Sequence, residues 1–116
     1  MCNNANYMKD TSEQKSQLRK GLLELAVMLV VNQESIYASD ILKKLKENQL
    51  LVVEGTLYPL LSRLKNEGDL DYKWQESKNG PPRKYYQLTL QGKKNLTKLT
   101  ETWSKLNKSI NSLIKK

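Results

Sequence analysis

Six residues within a run of nine, Gly55, Thr56, Tyr58, Pro59, Ser62 and Arg63, are small, hydroxylic, aromatic or cationic. They suit recognition rather than bond making. Thr56 and Ser62 offer hydroxyls for phosphates or base edges, and Arg63 offers a guanidinium for a guanine or a phosphate. Tyr58 adds a ring to pack on a sugar or a thymine methyl, with a phenol for a phosphate. Gly55 and Pro59 keep bulk low, so that a helix backbone could sit deep in a groove. A second set, Lys78, Gly80, Arg83, Lys84 and Tyr85, surrounds the stiff segment Asn79-Gly80-Pro81-Pro82. Cations on a rigid hairpin fit phosphate contact or minor-groove insertion, because little freedom is lost on docking.

Catalytic chemistry finds no comparable support. The chain has no histidine and one cysteine, Cys2, which removes the commonest general base and any cysteine- or histidine-based zinc site. No pair of acids stands in a catalytic context, so the expectation is a protein that is not an enzyme and uses no metal or cofactor. Twenty Lys and Arg against twelve Asp and Glu give a net charge of +8, which favours a polyanion as partner. The 116 residues, 38% hydrophobic and 28% charged, suit one domain with a modest core. No stretch approaches the ~20 apolar residues of a membrane span, and the N-terminus lacks a secretory apolar run. With a single thiol, a cytoplasmic protein is expected.

The elements that would position these residues read as follows. Residues 1–12 are mostly polar and are expected to form a flexible tail. Leu18, Leu22, Leu25, Ala26 and Leu29 fall at helical spacing and predict a helix from about Glu13 to Val31 with that stripe buried. A second helix, about Tyr37 to Asn48, turns Ile41, Leu42 and Leu45 inward. The apolar link Gln49 to Val53 should pack on the core. A third helix, Glu54 to Glu67, buries Leu57, Leu60, Leu61 and Leu64 and presents the recognition set on its other side. Gly68 stops it. It lacks a side-chain N-cap, for which the charge of Glu54 compensates, and Pro59 lies near enough to the first turn for its missing N–H to matter little.

Alternation then predicts a strand with Leu70, Tyr72 and Trp74 on one face and Asp71, Lys73 and Gln75 on the other. A loop Ser77 to Pro82 follows, turning at Asn79-Gly80. The return strand Arg83 to Leu88 places Tyr86 and Leu88 on the core face and Arg83, Tyr85 and Gln87 on the other. Thr89 caps a last helix. There Leu96, Leu99, Trp103, Leu106, Ile110 and Leu113 are spaced 3, 4, 3, 4 and 3, an a/d seam. Such a seam either covers the domain's own core or pairs two copies; since the other elements make a complete small core, a homodimer is expected.

The stretches EGTLYPLLSRLKNEG (Glu54 to Gly68) and GPPRKYYQLT (Gly80 to Thr89) resemble the PadR family of transcriptional regulators, and the likeness extends in weaker form over nearly the whole chain. The resemblance implies a mainly α (α+β) winged helix-turn-helix domain at residues 13–89 and a C-terminal dimerisation helix at 90–116. It makes Arg83, Lys84 and Tyr85 part of the wing. It implies a homodimeric, cytoplasmic repressor on a palindromic double-stranded operator. At Tyr37-Ala38-Ser39-Asp40-Ile41 the family pattern has a glycine and a second aromatic, which this chain lacks. Tyr37 therefore serves either packing or a backbone contact, and Lys15, Arg19 and Lys20 serve either phosphates or solvent. Trp103-Ser104-Lys105-Leu106 is similar to small multidrug-sensing members, whose paired tryptophans sandwich flat aromatic molecules. That likeness implies an aromatic inducer at Trp103. The rival readings are a winged-helix protein-interaction module and an architectural DNA binder without regulated release.

Overall fold

The computed structural model describes residues 22–116. The expectations for Cys2, Lys15, Leu18, Arg19, Lys20 and the tail lie outside them. The elements are α1 (Leu23–Gln33), β1 (Ile36–Tyr37), α2 (Ala38–Glu47), α3 (Glu54–Asn66), β2 (Leu70–Ser77), β3 (Gly80–Leu88) and α4 (Leu90–Ile114). Three strands form one antiparallel sheet in the order β1-β3-β2. This is the mixed, mainly helical winged-helix arrangement expected.

The core forms where α1, α2 and α3 meet the sheet. Val27, Met28, Ile41, Leu45, Leu57, Leu61, Leu64 and Leu70 are at most 2% exposed. Tyr86 and Leu88 close it from β3, and Leu96 from α4. The stripe expected on the first helix is only partly buried: Leu25 and Ala26 pack against the core, but they are not its centre. Leu22 and Leu29 are 38% and 40% exposed, whereas Val27, Met28, Val30 and Val31 are buried. From Leu22 to Val31 the only polar residue is Glu24, so two apolar stripes compete and periodicity cannot choose between them. Contact with α2, α4 and β3 makes the choice.

The helix ends follow local rules. After α2, Gln49 takes a left-handed φ of 66°, Leu50 N–H donates to the Leu45 carbonyl and Gln49 N–H to that of Lys46. After α3, Gly68 takes φ 90°, with Asp69 N–H on Leu64 and Gly68 N–H on Lys65. Both are Schellman ends; glycine meets the second at no steric cost and glutamine fills the first. Val53 caps α3 without a side-chain bond, and Glu54 occupies the first turn. Pro59 is the sixth residue of α3, beyond the four N–H groups that lack partners, so it does remove one helical bond. Along the link, Leu50 and Val52 pack on the core while Val53 is exposed.

Two further differences concern strands. Residue pairs Ile36↔Tyr86 and Tyr37↔Tyr85 make a short strand, so α2 begins one residue later than expected. The hairpin also turns earlier than its Asn-Gly signal implied. Ser77 pairs with Gly80 across Lys78 and Asn79, with an irregularity between Gln75 and Ser77, and Pro81 and Pro82 belong to β3. Gly68 is the only glycine with positive φ among the described residues. The turn is therefore not of the left-handed kind that Asn-Gly favours.

Thr89 caps α4, its hydroxyl accepting from Gly92 N–H at 2.9 Å. The same hydroxyl donates to the Gly68 carbonyl at 2.6 Å, and Thr89 N–H donates to the Asp69 carbonyl at 3.1 Å. The Asp69 carboxylate, 8% exposed as a residue, accepts from Gln91 Nε2 at 3.0 Å and Asn95 Nδ2 at 2.7 Å. At Gly92 an added Cβ would run into the Asp69 backbone carbonyl. Gly92→Ala should therefore destabilise the fold by about 3 kcal/mol or more, read as a lower urea midpoint.

Candidate nucleic-acid interface

The face of α3 opposite Leu57, Leu61 and Leu64 is open. Gly55, Thr56, Tyr58, Pro59, Ser62 and Arg63 are all exposed on it or along its flanks, and Leu60 is half-buried. Nothing lies within 4 Å of where a Gly55 Cβ would be. The chain thus accepts a poor helix former in the first turn without any internal packing reason for it, which fits close approach from outside.

Arg63 is already engaged. Its guanidinium contacts Glu67 at 3.0 Å and Glu24 of α1 at 3.2 Å. Desolvation works against its charge, but Glu24 and Glu67 together outweigh it and raise its pKa above the ordinary value. To reach a base, Arg63 must exchange partners.

The hairpin divides the expected Arg83-Lys84-Tyr85 set between its two faces, because successive strand residues point oppositely. Arg83 lies over the Tyr37 ring at 5.5 Å. Tyr37 meets Tyr85 edge to face at 4.9 Å, and its hydroxyl donates to Gln75 Oε1 at 3.2 Å. Tyr37 thus packs against both Arg83 and Tyr85. Lys84 is on the other face, 4.5 Å from the Tyr72 ring. Lys78 and Gly80 are exposed at the tip. Burial, helped by Tyr72 and Tyr58, pushes the Tyr86 phenol above its usual pKa, in keeping with its core position.

Trp74 shares the strand face of Leu70 and Tyr72 as expected, yet it is 63% exposed. The strand outruns the core, and alternation alone does not say where burial stops. Along α4, Leu96 is 5% exposed and Leu99 packs against the core. Trp103, Leu106, Ile110 and Leu113 are 39%, 59%, 56% and 65% exposed. The seam thus splits: its first turns complete the chain's own core and the rest stands clear of it. Among the described residues, no His, Cys, Asp or Glu group could hold a metal, and no helix is long and apolar enough to cross a membrane.

The model of the PadR-like family of transcriptional regulators matches residues 27–98, from within α1 to the start of α4. The chain belongs to that family. A PadR-like transcription factor from Bacteroides fragilis is 55% identical, covering 87% of this chain and 98% of its own, with a TM-score of 0.73. PadR family regulators from Bacillus cereus and Eggerthella lenta are 32% and 33% identical. The match with the first covers 84% of this chain and 96% of the relative, at a TM-score of 0.76. With the second it covers 89% and 90%, at 0.77. The α3 face and the basic hairpin are accordingly the surfaces to test in a PadR-like DNA-binding regulator.

Gly55→Ala gives a test in which stability and binding diverge. The fold should gain about 0.5–1 kcal/mol, seen in thermal melting, while affinity for duplex DNA falls.

Proposed function

We propose that this PadR-like regulator is a homodimeric repressor that occludes a promoter by sitting on a palindromic operator. In this reading Gly55, Thr56, Tyr58, Pro59, Ser62 and Arg63 face the major groove, and Lys78, Gly80, Arg83, Lys84 and Tyr85 hold phosphates beside it. Sequence discrimination would come from base-edge contacts by Ser62 and Arg63, and affinity from the hairpin cations.

The observation that carries the dimer is the apolar row Trp103, Leu106, Ile110 and Leu113 on the part of α4 beyond the core. Water contact with such a row is costly, and a second copy of the same helix would cover it symmetrically. Pairing along residues 90–116 would set the separation of two α3 helices, as half-sites one helical turn apart require. Trp103 stands where that row begins. A flat aromatic inducer held between two such tryptophans would release DNA by binding one spacing of the reading heads better than the other.

Three measurements test this. Affinity for the chain's own upstream DNA should fall steeply with salt, by about 0.9 log unit per log unit of salt for each phosphate neutralised; a flat response would instead favour a protein-interaction module. It should also exceed affinity for random duplex by about 10³ or more, and equal binding to both would favour an architectural role. Leu106→Lys with Ile110→Lys leaves the core untouched and should yield folded monomers in sedimentation, with operator binding lost. A double variant that sediments as a dimer sinks the α4 pairing.

A further inference from the structure

The inner face of the hairpin carries Tyr72, which packs against the edge of the core, and beyond it the exposed Trp74 and the half-buried Lys84. Tyr58, Ser62 and Lys65 are spaced by four and then three residues, so they lie along one side of α3, and all are exposed. Lys65 Nζ from that side stands 5.8 Å from the centre of the Tyr72 ring on β2. From β3, Lys84 Nζ stands 4.5 Å from the same ring and 5.6 Å from the Trp74 indole. Tyr72 and Trp74 meet edge to face at 6.0 Å, and Trp74 pairs directly opposite Lys84 in the sheet.

Two ammonium groups thus converge on one ring, and among the described residues neither is ion-paired with a carboxylate. Attraction to the ring is worth only about 0.5–1 kcal/mol at exposed sites, while the two like charges repel. An anion near both relieves that repulsion. Both side chains already rest against aromatic surface, so less rotamer freedom is lost when it docks. A small free anion would be held weakly, since unit charges 4 Å apart in water interact by only about 1 kcal/mol. A phosphodiester strand, by contrast, is kept in place by contacts on both sides and brings sugars that can cover an exposed indole. The position, in the angle between α3 and the hairpin, is between the two surfaces proposed to grip DNA.

We propose that Lys65, Tyr72, Lys84 and Trp74 form a clamp for the backbone of one DNA strand. Lys65 and Lys84 take a phosphate and Trp74 packs on the neighbouring deoxyribose. The inference rests on the DNA-binding reading and adds Lys65 and Trp74 to it, as contacts that supply affinity without sequence preference.

The test uses the full chain, a duplex of its own upstream region and a random-sequence duplex of equal length, each titrated over a salt series. Lys65→Gln should lower the salt slope by about 0.9 on both duplexes, whereas Lys105→Gln, the same charge change on α4, should not. Trp74→Ala should weaken both complexes by about three- to tenfold, the scale of one aromatic contact, with Trp74→Phe recovering part of the loss. Thermal melting of each variant checks the fold. An unchanged slope for Lys65→Gln, or an equal drop for Lys105→Gln, overturns the clamp while leaving the DNA-binding reading intact. A wild-type chain that binds neither duplex overturns both.

Discussion

The end of α3 and the start of α4 are tied at one point, and the direction in which α4 leaves the core follows from it. Asp69 is the centre of this tie. Its backbone carbonyl accepts from Thr89 N–H, and its carboxylate accepts the amide groups of Gln91 and Asn95. Thr89 meanwhile bonds the carbonyl of Gly68. A carboxylate taken out of water is costly unless hydrogen bonds replace the lost hydration, and here two side-chain amides do so. Gly92 lets the two backbones approach as closely as this requires. A rigid junction of this kind makes the direction of α4 a function of the direction of α3. In the proposed dimer, a change in how two α4 helices pair would therefore be felt at the α3 faces, without any need for a flexible link.

A second connection runs from α1 to the same helix through Arg63, held by Glu24 and Glu67. Exposed pairs of this type contribute little to stability. In the proposed DNA-bound state their consequence is for recognition, because Arg63 starts from a satisfied state and would have to trade its carboxylates for a group on DNA. The cations of the hairpin differ. Arg83 and Lys84 rest on rings, which hold them in place while leaving their hydrogen-bonding groups free of carboxylates among the described residues. The molecule thus holds its cations in two ways, one with a competing anion and one without.

How legible each part was depended on whether neighbours in sequence or contacts from afar decide it. The third helix was readable because leucines on one side and polar residues on the other leave a single way to bury it, and Gly68 marks its end. The cap at Thr89 was equally local. The first helix was not, since apolar residues surround it. The strand Ile36–Tyr37 has two residues, too few to show any alternation, and exists because β3 lies beside it. The turn moved to Lys78 and Asn79 because strand pairing continued to Gly80 and overrode the Asn-Gly preference. At the candidate interface the exposed face of α3 was legible. So was the alternation that parts Arg83 and Tyr85 from Lys84, whereas the exposure of Trp74 was not.

Sequence by itself determined the inventory: the amphipathic third helix, the basic hairpin, the long seam of the last helix, the surplus of cations, and the family resemblance they carry. These are properties of residue type and spacing, so they can be read without coordinates. Tertiary structure alone decided which apolar surfaces are spent inside the chain and which remain. Leu96 and Val31 went inward, while Leu22, Leu29 and the row from Trp103 to Leu113 did not. It also decided that Lys65 and Lys84, nineteen residues apart in the chain, share one aromatic ring. The reason is physical: burial and charge proximity depend on what packs alongside, and hydrophobic spacing is the same whether the surface it describes meets the chain's own core or water.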